Sequence, residues 1–354
     1  MPNIILRIRM QKKAVLFGLF AGLLFGIATS VSKFLMDSLS GYMLAGLLYF
    51  GAALVFLPYM VKNFRADFRP ALLKNNGMKL LGIIVSGGIL GPLFLLAGLN
   101  YAHSTSVSIW LNFELVATAL LGVLFFKEHL SRYALVGVLF TILSGMLISI
   151  NEDVTGLKAG IFVMLACIFW GLDNHLTAIM DGISSQAVTF IKGVVGGTVN
   201  IILAIVFSNP ADLLQSQAAL AVLLGMVSYG ISIVLYVSAS QIIGATRGQI
   251  LFSASPLWGI IGAAIVLAEP INGTTIMSFA LLSIGIIFSN VRGHHHTHTH
   301  METQHIHLHT HTDEHHFHEH DNLAREASHI HVHLHEQLHH IHDHFPDLHH
   351  RHDH

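Results

Sequence analysis

Residues Ala14–Met36 read AVLFGLFAGLLFGIATSVSKFLM, a run whose only charge is Lys33. A bilayer core of about 30 Å is crossed by roughly 20 apolar residues in a helix, so the run is long enough to span. Arg7, Arg9, Lys12 and Lys13 precede it and imitate the charged start of a secretion signal. The apolar segment is far longer than a signal core and no small-x-small cleavage site closes it, so it is expected to remain as a first transmembrane helix. Nine further runs follow, over 40–61, 78–100, 103–126, 132–150, 159–180, 184–207, 218–239, 245–267 and 272–290. Most lack amphipathic alternation, as helices apolar on all sides do. The short links between them imply antiparallel neighbours in a compact bundle.

Composition points the same way. Of 354 residues, 53% are hydrophobic and 11% charged, whereas a soluble domain carries about 25% charged residues. That excludes ordinary soluble enzymes and nucleic-acid binders. The average hides two unlike regions. Residues 1–293 hold 16 Lys+Arg against 10 Asp+Glu, a formal charge of +6; residues 294–354 hold 2 Arg against 10 Asp+Glu, a charge of −8, with 25 of the 28 His. The single cysteine, Cys167, lies inside an apolar run, so there is no disulfide framework. No Walker A motif and no Ser/His/Asp or Cys/His set at active-site spacing is present, which speaks against ATP drive and catalysis.

Lys and Arg crowd one side of the runs: four before the first run, then Lys62, Arg65, Arg69 and Lys74, then Lys127 and Arg132, with Arg247 and Arg292 at further ends. The opposite links hold only Lys158, beside the acidic stretch Asn151-Glu152-Asp153. By the positive-inside rule both termini, and therefore the His-rich tail, are expected in the cytoplasm of a multi-pass plasma-membrane protein. Gly18, Gly22 and Gly26, and again Gly137, Thr141 and Gly145, form small-xxx-small ladders suited to close helix packing in lipid.

Five runs followed by five invite a repeat test. Phe25-Gly26 matches Trp170-Gly171 at an offset of 145; Glu128 matches Glu269 at 141; Gly145 and Ser149 match Gly285 and Ser289 at 140. Each unit has an odd number of helices, so two units in one chain must be inverted relative to each other, the arrangement of many secondary transporters. The chain resembles the drug/metabolite transporter superfamily, specifically proteins with two EamA domains. The residues that carry the resemblance are Phe25 to Lys33, then Phe126-Lys127-Glu128-His129-Leu130 and its second copy Ala268-Glu269-Pro270. Ser253-Ala254-Ser255-Pro256-Leu257 matches the mid-helix proline of the ninth helix. In the first half the corresponding position reads Asn112-Phe113-Glu114-Leu115, a carboxylate in place of Ser/Ala-Pro. The resemblance implies an all-α membrane protein of ten helices in two inverted five-helix repeats, exporting or, less often, importing small metabolites. The expected organisation is 1–13 as a cytoplasmic N-terminus, 14–150 and 159–290 as the repeats, and 294–354 as the tail.

Ionisable groups at membrane depth cost roughly 2.5–3.5 kcal/mol each on insertion scales, so they mark candidate function. Glu114 is expected mid-helix with Asn112 nearby: a proton-coupling carboxylate, a ligand for a cationic group, or a neutral hydrogen-bonded carboxyl. Asp173 and Lys192 are expected at one depth and therefore as an ion pair, which either ties two helices together or exchanges with substrate. Lys33 is expected to snorkel at the outer end of its helix, and His103 to be solvated at the same face. Glu128 and Glu269 are expected in helix-end contacts. His175 also sits at membrane depth, but side chains two apart on a helix diverge by about 200°, so Asp173 and His175 cannot share a metal. Gly87-Gly88-Ile89-Leu90-Gly91-Pro92 and Pro256 are candidate discontinuities, where freed backbone groups bind substrate in other transporters.

In the tail, His305, His307 and His309 alternate with branched apolar residues, as do His329, His331, His333 and His335. In an extended chain each set lies on one face. His311 continues the first series, and His335, His339 and His342 align on a helix instead. Imidazole binds zinc, nickel, cobalt and copper, ranked mainly by the Irving–Williams order. A divalent-metal-binding tail, disordered without metal, is the leading expectation; a pH-sensing tail and a plain polar tail are the alternatives. The whole chain then reads as a metabolite transporter with a metal-binding tail. Alternatives are a nickel, cobalt or zinc exporter that uses the tail as collector, and a membrane-tethered metal store. Partners are the bilayer, a small solute and divalent ions, with no nucleic acid; a monomer and a homodimer both fit the sequence.

Overall fold

The computed structural model describes residues 2–71, 74–126, 132–180, 183–208, 216–243, 249, 251–289, 297–300, 303–309, 329–335 and 338–341. Among them, seven helices are long and apolar enough to cross a membrane: Lys13–Leu35, Gly41–Phe64, Asn76–Tyr101, Ser104–Phe125, Val154–Thr177, Ser185–Phe207 and Ser216–Ala239. Three shorter apolar helices, Leu135–Asn151, Ser255–Val266 and Gly273–Phe288, fall in the remaining runs. Numbered in chain order these are the first to tenth segments. Local chemistry starts several of them. Asp153 caps the sixth by accepting from Gly156 N at 2.7 Å, Ser184 caps the seventh from Ala187 N at 3.1 Å, and Asn272 caps the tenth from Thr275 N at 2.8 Å.

Two of the segments carry π-helical turns. The third is π-helical over Ile84–Leu90 and the eighth over Gly225–Ile231, the same stretch 141 positions later. The fourth was expected as one continuous helix. It is instead Ser104–Trp110 and Phe113–Phe126, joined by a turn at Leu111-Asn112. There Asn112 N bonds Ile109 O at 3.1 Å and Leu115 N bonds Asn112 O at 3.0 Å, short-range bonds that tighten the backbone and redirect the axis. Before the ninth segment Ala254 N bonds Leu251 O at 3.3 Å and Leu257 N bonds Ala254 O at 3.2 Å, the same pattern 142 positions on. Pro256, which has no N–H to give, explains the second turn. The first has no proline, and Glu114 occupies the equivalent position.

Packing obeys the same exchange. The first segment packs on the eighth and ninth, and the sixth packs on the third and fourth. The second packs on the seventh, and the fifth on the tenth. Swapping the two halves maps each pairing onto another or onto itself. Small residues allow the close crossings, as membrane packing requires. A Cβ on Gly197 would sit 3.0 Å from Phe50 N, and one on Gly285 would sit 2.9 Å from Gly137 O and 3.1 Å from Thr141 Oγ1. Large apolar side chains such as Phe125, Val206, Ile265 and Ile287 are exposed on the outside, as lipid contact needs.

Four stretches of the tail, which was expected to be disordered, are described, and each is extended. Thr297–His300 (β1), Thr303–His309 (β2), His329–His335 (β3) and Leu338–Ile341 (β4) are strands, paired antiparallel as β1 with β4 and β2 with β3. Strict alternation of His with Ile, Val and Leu is a strand period, and it outweighs the polar composition on which disorder was argued. His311 and His342 lie outside the described residues.

Candidate functional site

The π-helical turn of the third segment is where the halves meet most polarly. A π turn misaligns backbone carbonyls, and here side chains from three other segments reach them. Gly87 O accepts from the Tyr49 hydroxyl and from Trp170 Nε1 at 3.4 Å, and Gly88 O accepts from Asn200 Nδ2 at 3.0 Å. Both glycines are needed by their neighbours. A Cβ on Gly87 would run into the Asp173 carboxylate, and one on Gly88 would meet Lys192 Cγ at 3.0 Å.

Against that bare backbone Lys192 Nζ donates to Asp173 Oδ2 at 2.7 Å, with both side chains buried. The expected ion pair forms. The other carboxylate oxygen, Asp173 Oδ1, is buried without a protein partner, as is Asn200 Oδ1. The next residue, Asn174, donates Nδ2 to Glu114 Oε1 at 2.7 Å. Glu114 lies in the first turn after the break of the fourth segment, not at the middle of an unbroken helix, and Asn112 is buried in the break itself. The Asp173–Lys192 pair and the Glu114–Asn174 contact thus hang from adjacent residues of the sixth segment at the seam of the two halves.

The sixth segment divides its neighbours by face. Trp170 and Asp173 look toward the π turn. Gly171, Asn174 and His175 look toward the fourth segment, where a Cβ on Gly171 would sit 3.1 Å from Thr118 N and His175 Nε2 lies 2.8 Å from Thr118 O. Asp173 and His175 therefore serve different partners. Among the described residues no group of three or more His, Cys, Asp or Glu is placed to hold a metal ion.

Lys33, expected to snorkel, finds protein partners at its end of the bundle. Its Nζ donates to Leu99 O at 2.6 Å and Ala102 O at 2.5 Å, closing the end of the third segment. The free carbonyls of a helix C-terminus attract a cation. His103 is exposed but not simply solvated: its N and Nδ1 lie 3.1 and 3.0 Å from Glu152 Oε1. Glu269 reaches across from the second half to cap the fourth segment, accepting from Ser104 N at 2.8 Å, Thr105 N at 2.9 Å and Thr105 Oγ1 at 2.7 Å. Glu128 lies outside the described residues.

Sequence reasoning missed Asn174, Asn200 and an aromatic cluster. Phe25 stands 6.0 Å from Trp170, its own repeat counterpart, in a T-shaped contact, and 5.6 Å from Tyr229. Tyr229 stands 5.4 Å from Tyr49, and Phe25 stands 5.2 Å from Phe252. One signal was available: Trp170 and Asp173 are three apart, so one helix face carries both.

A model of the EamA-like transporter family matches residues 12–150 and again 157–291. A protein of Methanothermobacter thermautotrophicus described as an uncharacterized transporter is 27% identical over 271 residues, covering 71% of this chain and 78% of its own. One solved crystal structure superposes with a TM-score of 0.61 at 14% identity, covering 79% of this chain and 97% of the other, a likeness of fold.

Proposed function

The chain belongs to the EamA-like transporter family, and we propose that it is a secondary transporter exporting a small polar metabolite across the plasma membrane by alternating access. In this reading ten segments cross the bilayer as two inverted repeats and both termini are cytoplasmic. The observation that carries it is the part-buried Glu114–Asn174 contact beside the buried Asp173–Lys192 pair, at the seam of the halves. With two carboxylates and one ammonium the site is one cation short of neutrality, so a proton or a cationic group of the solute completes it. Glu114, with Asn112 and Asn174 around it, is the group that takes the proton or the cation. Asp173 and Lys192 part transiently to engage the solute. Lys33 and His175 act on helix geometry through the carbonyls they contact, and the aromatic cluster forms the apolar wall.

The tail, outside both matched stretches, is read as a cytoplasmic divalent-metal module for zinc, nickel, cobalt or copper. Export of the metal itself has no comparable support, because the buried charges are two hard carboxylates and a lysine. The test is solute release from cells carrying the chain or Glu114→Gln, which preserves the Asn174 contact. Release of a metabolite that Glu114→Gln stops, at equal membrane abundance, supports the reading. A metabolite profile indifferent to the chain, with lowered cell nickel, cobalt or zinc, overturns it in favour of metal export.

A further inference from the structure

The two strand pairs of the tail are both antiparallel and share one register offset. Thr297 opposes Ile341, His300 opposes Leu338, Thr303 opposes His335 and His309 opposes His329. Between β2 and β3 His305 opposes His333, His307 opposes His331 and His309 opposes His329. The residues between them pair apolar with apolar, Ile306 with Val332 and Leu308 with Ile330.

Opposed residues of an antiparallel pair share a face, and so do alternate residues along each strand. The register therefore puts three His–His rungs on one face and the branched apolar rungs on the other. Slipping either strand by one residue would set every His against an apolar residue, so the pattern itself specifies the pairing. Opposed Cβ atoms stand about 4.5–5.5 Å apart in such ladders. Two imidazoles rooted at that spacing can meet at one ion with metal–nitrogen distances of about 2.0–2.1 Å.

We infer that β2 and β3 form a divalent transition-metal site whose ligands are cross-strand histidine pairs, so that one ion staples the two strands at each occupied rung. A two-stranded hairpin is only marginally stable in water, and metal bound across it adds its binding free energy to the closed form. The inference rests on the reading of the tail as a metal module and sharpens it: the ligands of each ion come from both strands, not from neighbours along one strand.

The experiment uses the full chain in detergent, titrated with Ni²⁺ or Zn²⁺ alone by calorimetry. One variant carries His305→Asn, His307→Asn and His309→Asn; a second carries His329→Asn, His331→Asn and His333→Asn; a third combines all six. A control carries His349→Asn, His350→Asn and His352→Asn. The expected result is that each strand variant loses the same tight sites and the combination loses no more, while the control keeps them. Additive losses from the two strands overturn the ladder but leave a metal-binding tail. No tight binding to the unaltered chain overturns both. Register is checked separately with Leu308→Cys and Ile330→Cys in one chain, expected to cross-link faster once metal is added. Cross-linking indifferent to metal counts against the staple.

Discussion

The two halves of the bundle share a backbone and differ in what they put on it. Each has a π-helical stretch in its third segment and a tightened turn at its fourth, spaced 141 and 142 positions apart. The first half places Gly87-Gly88 in the π turn; the second places Ser228-Tyr229 at the matching positions. Beside the glycines sit Asp173 and Lys192. Beside Tyr229 sit Phe25 and Tyr49, and Ser228 Oγ simply returns a bond to Leu24 O at 2.6 Å. Glu114 in one half is Pro256 in the other. The duplicated architecture supplies two equivalent kinked seams, and side-chain volume decides which one is charged. Glycine leaves room for an ion pair; tyrosine fills the same room with a ring.

This contrast can be broken experimentally. The largest effect is expected from Lys192→Met, which strands Asp173 in the bundle at a cost of about 3–5 kcal/mol. Thermal unfolding in detergent should fall sharply, and adding Asp173→Asn should recover most of the loss without restoring transport. A mild effect of Lys192→Met alone would mean that water reaches the pair. Next is Gly87→Ala, which pushes a methyl into the Asp173 carboxylate and should cost about 1–3 kcal/mol. If it is neutral, the glycine pair is not what admits the charges.

Glu269→Ala removes the carboxylate that caps the fourth segment across the halves, and about 0.5–2 kcal/mol is expected from the unfolding midpoint. Ser228→Ala should be the mildest, about 0.5–1.5 kcal/mol for one buried hydroxyl bond. A Ser228→Ala loss equal to that of Gly87→Ala would erase the distinction between the seams.

Much of this was legible in the residues. The ten apolar runs follow from chain length in lipid, and the Asp173–Lys192 pair follows from helical rise applied to two charges at one depth. The partners of Lys33, the carbonyls of Leu99 and Ala102, were not legible because they belong to a segment more than sixty residues away. The break at Asn112 escaped notice because no proline marks it. Asn174 looked like an ordinary polar residue until the fourth segment brought Glu114 against it.

The sequence by itself determined the segments, their duplication and the histidine spacing of the tail, because hydrophobic run length, repeat offset and the two-residue strand period are local properties of the chain. Only the tertiary structure decided which carbonyls Lys33 and Tyr49 satisfy, which helix Glu269 caps and which histidines stand opposite one another. Those are choices among partners far apart in sequence, and they are made by the crossings that glycine permits and by the register of paired strands.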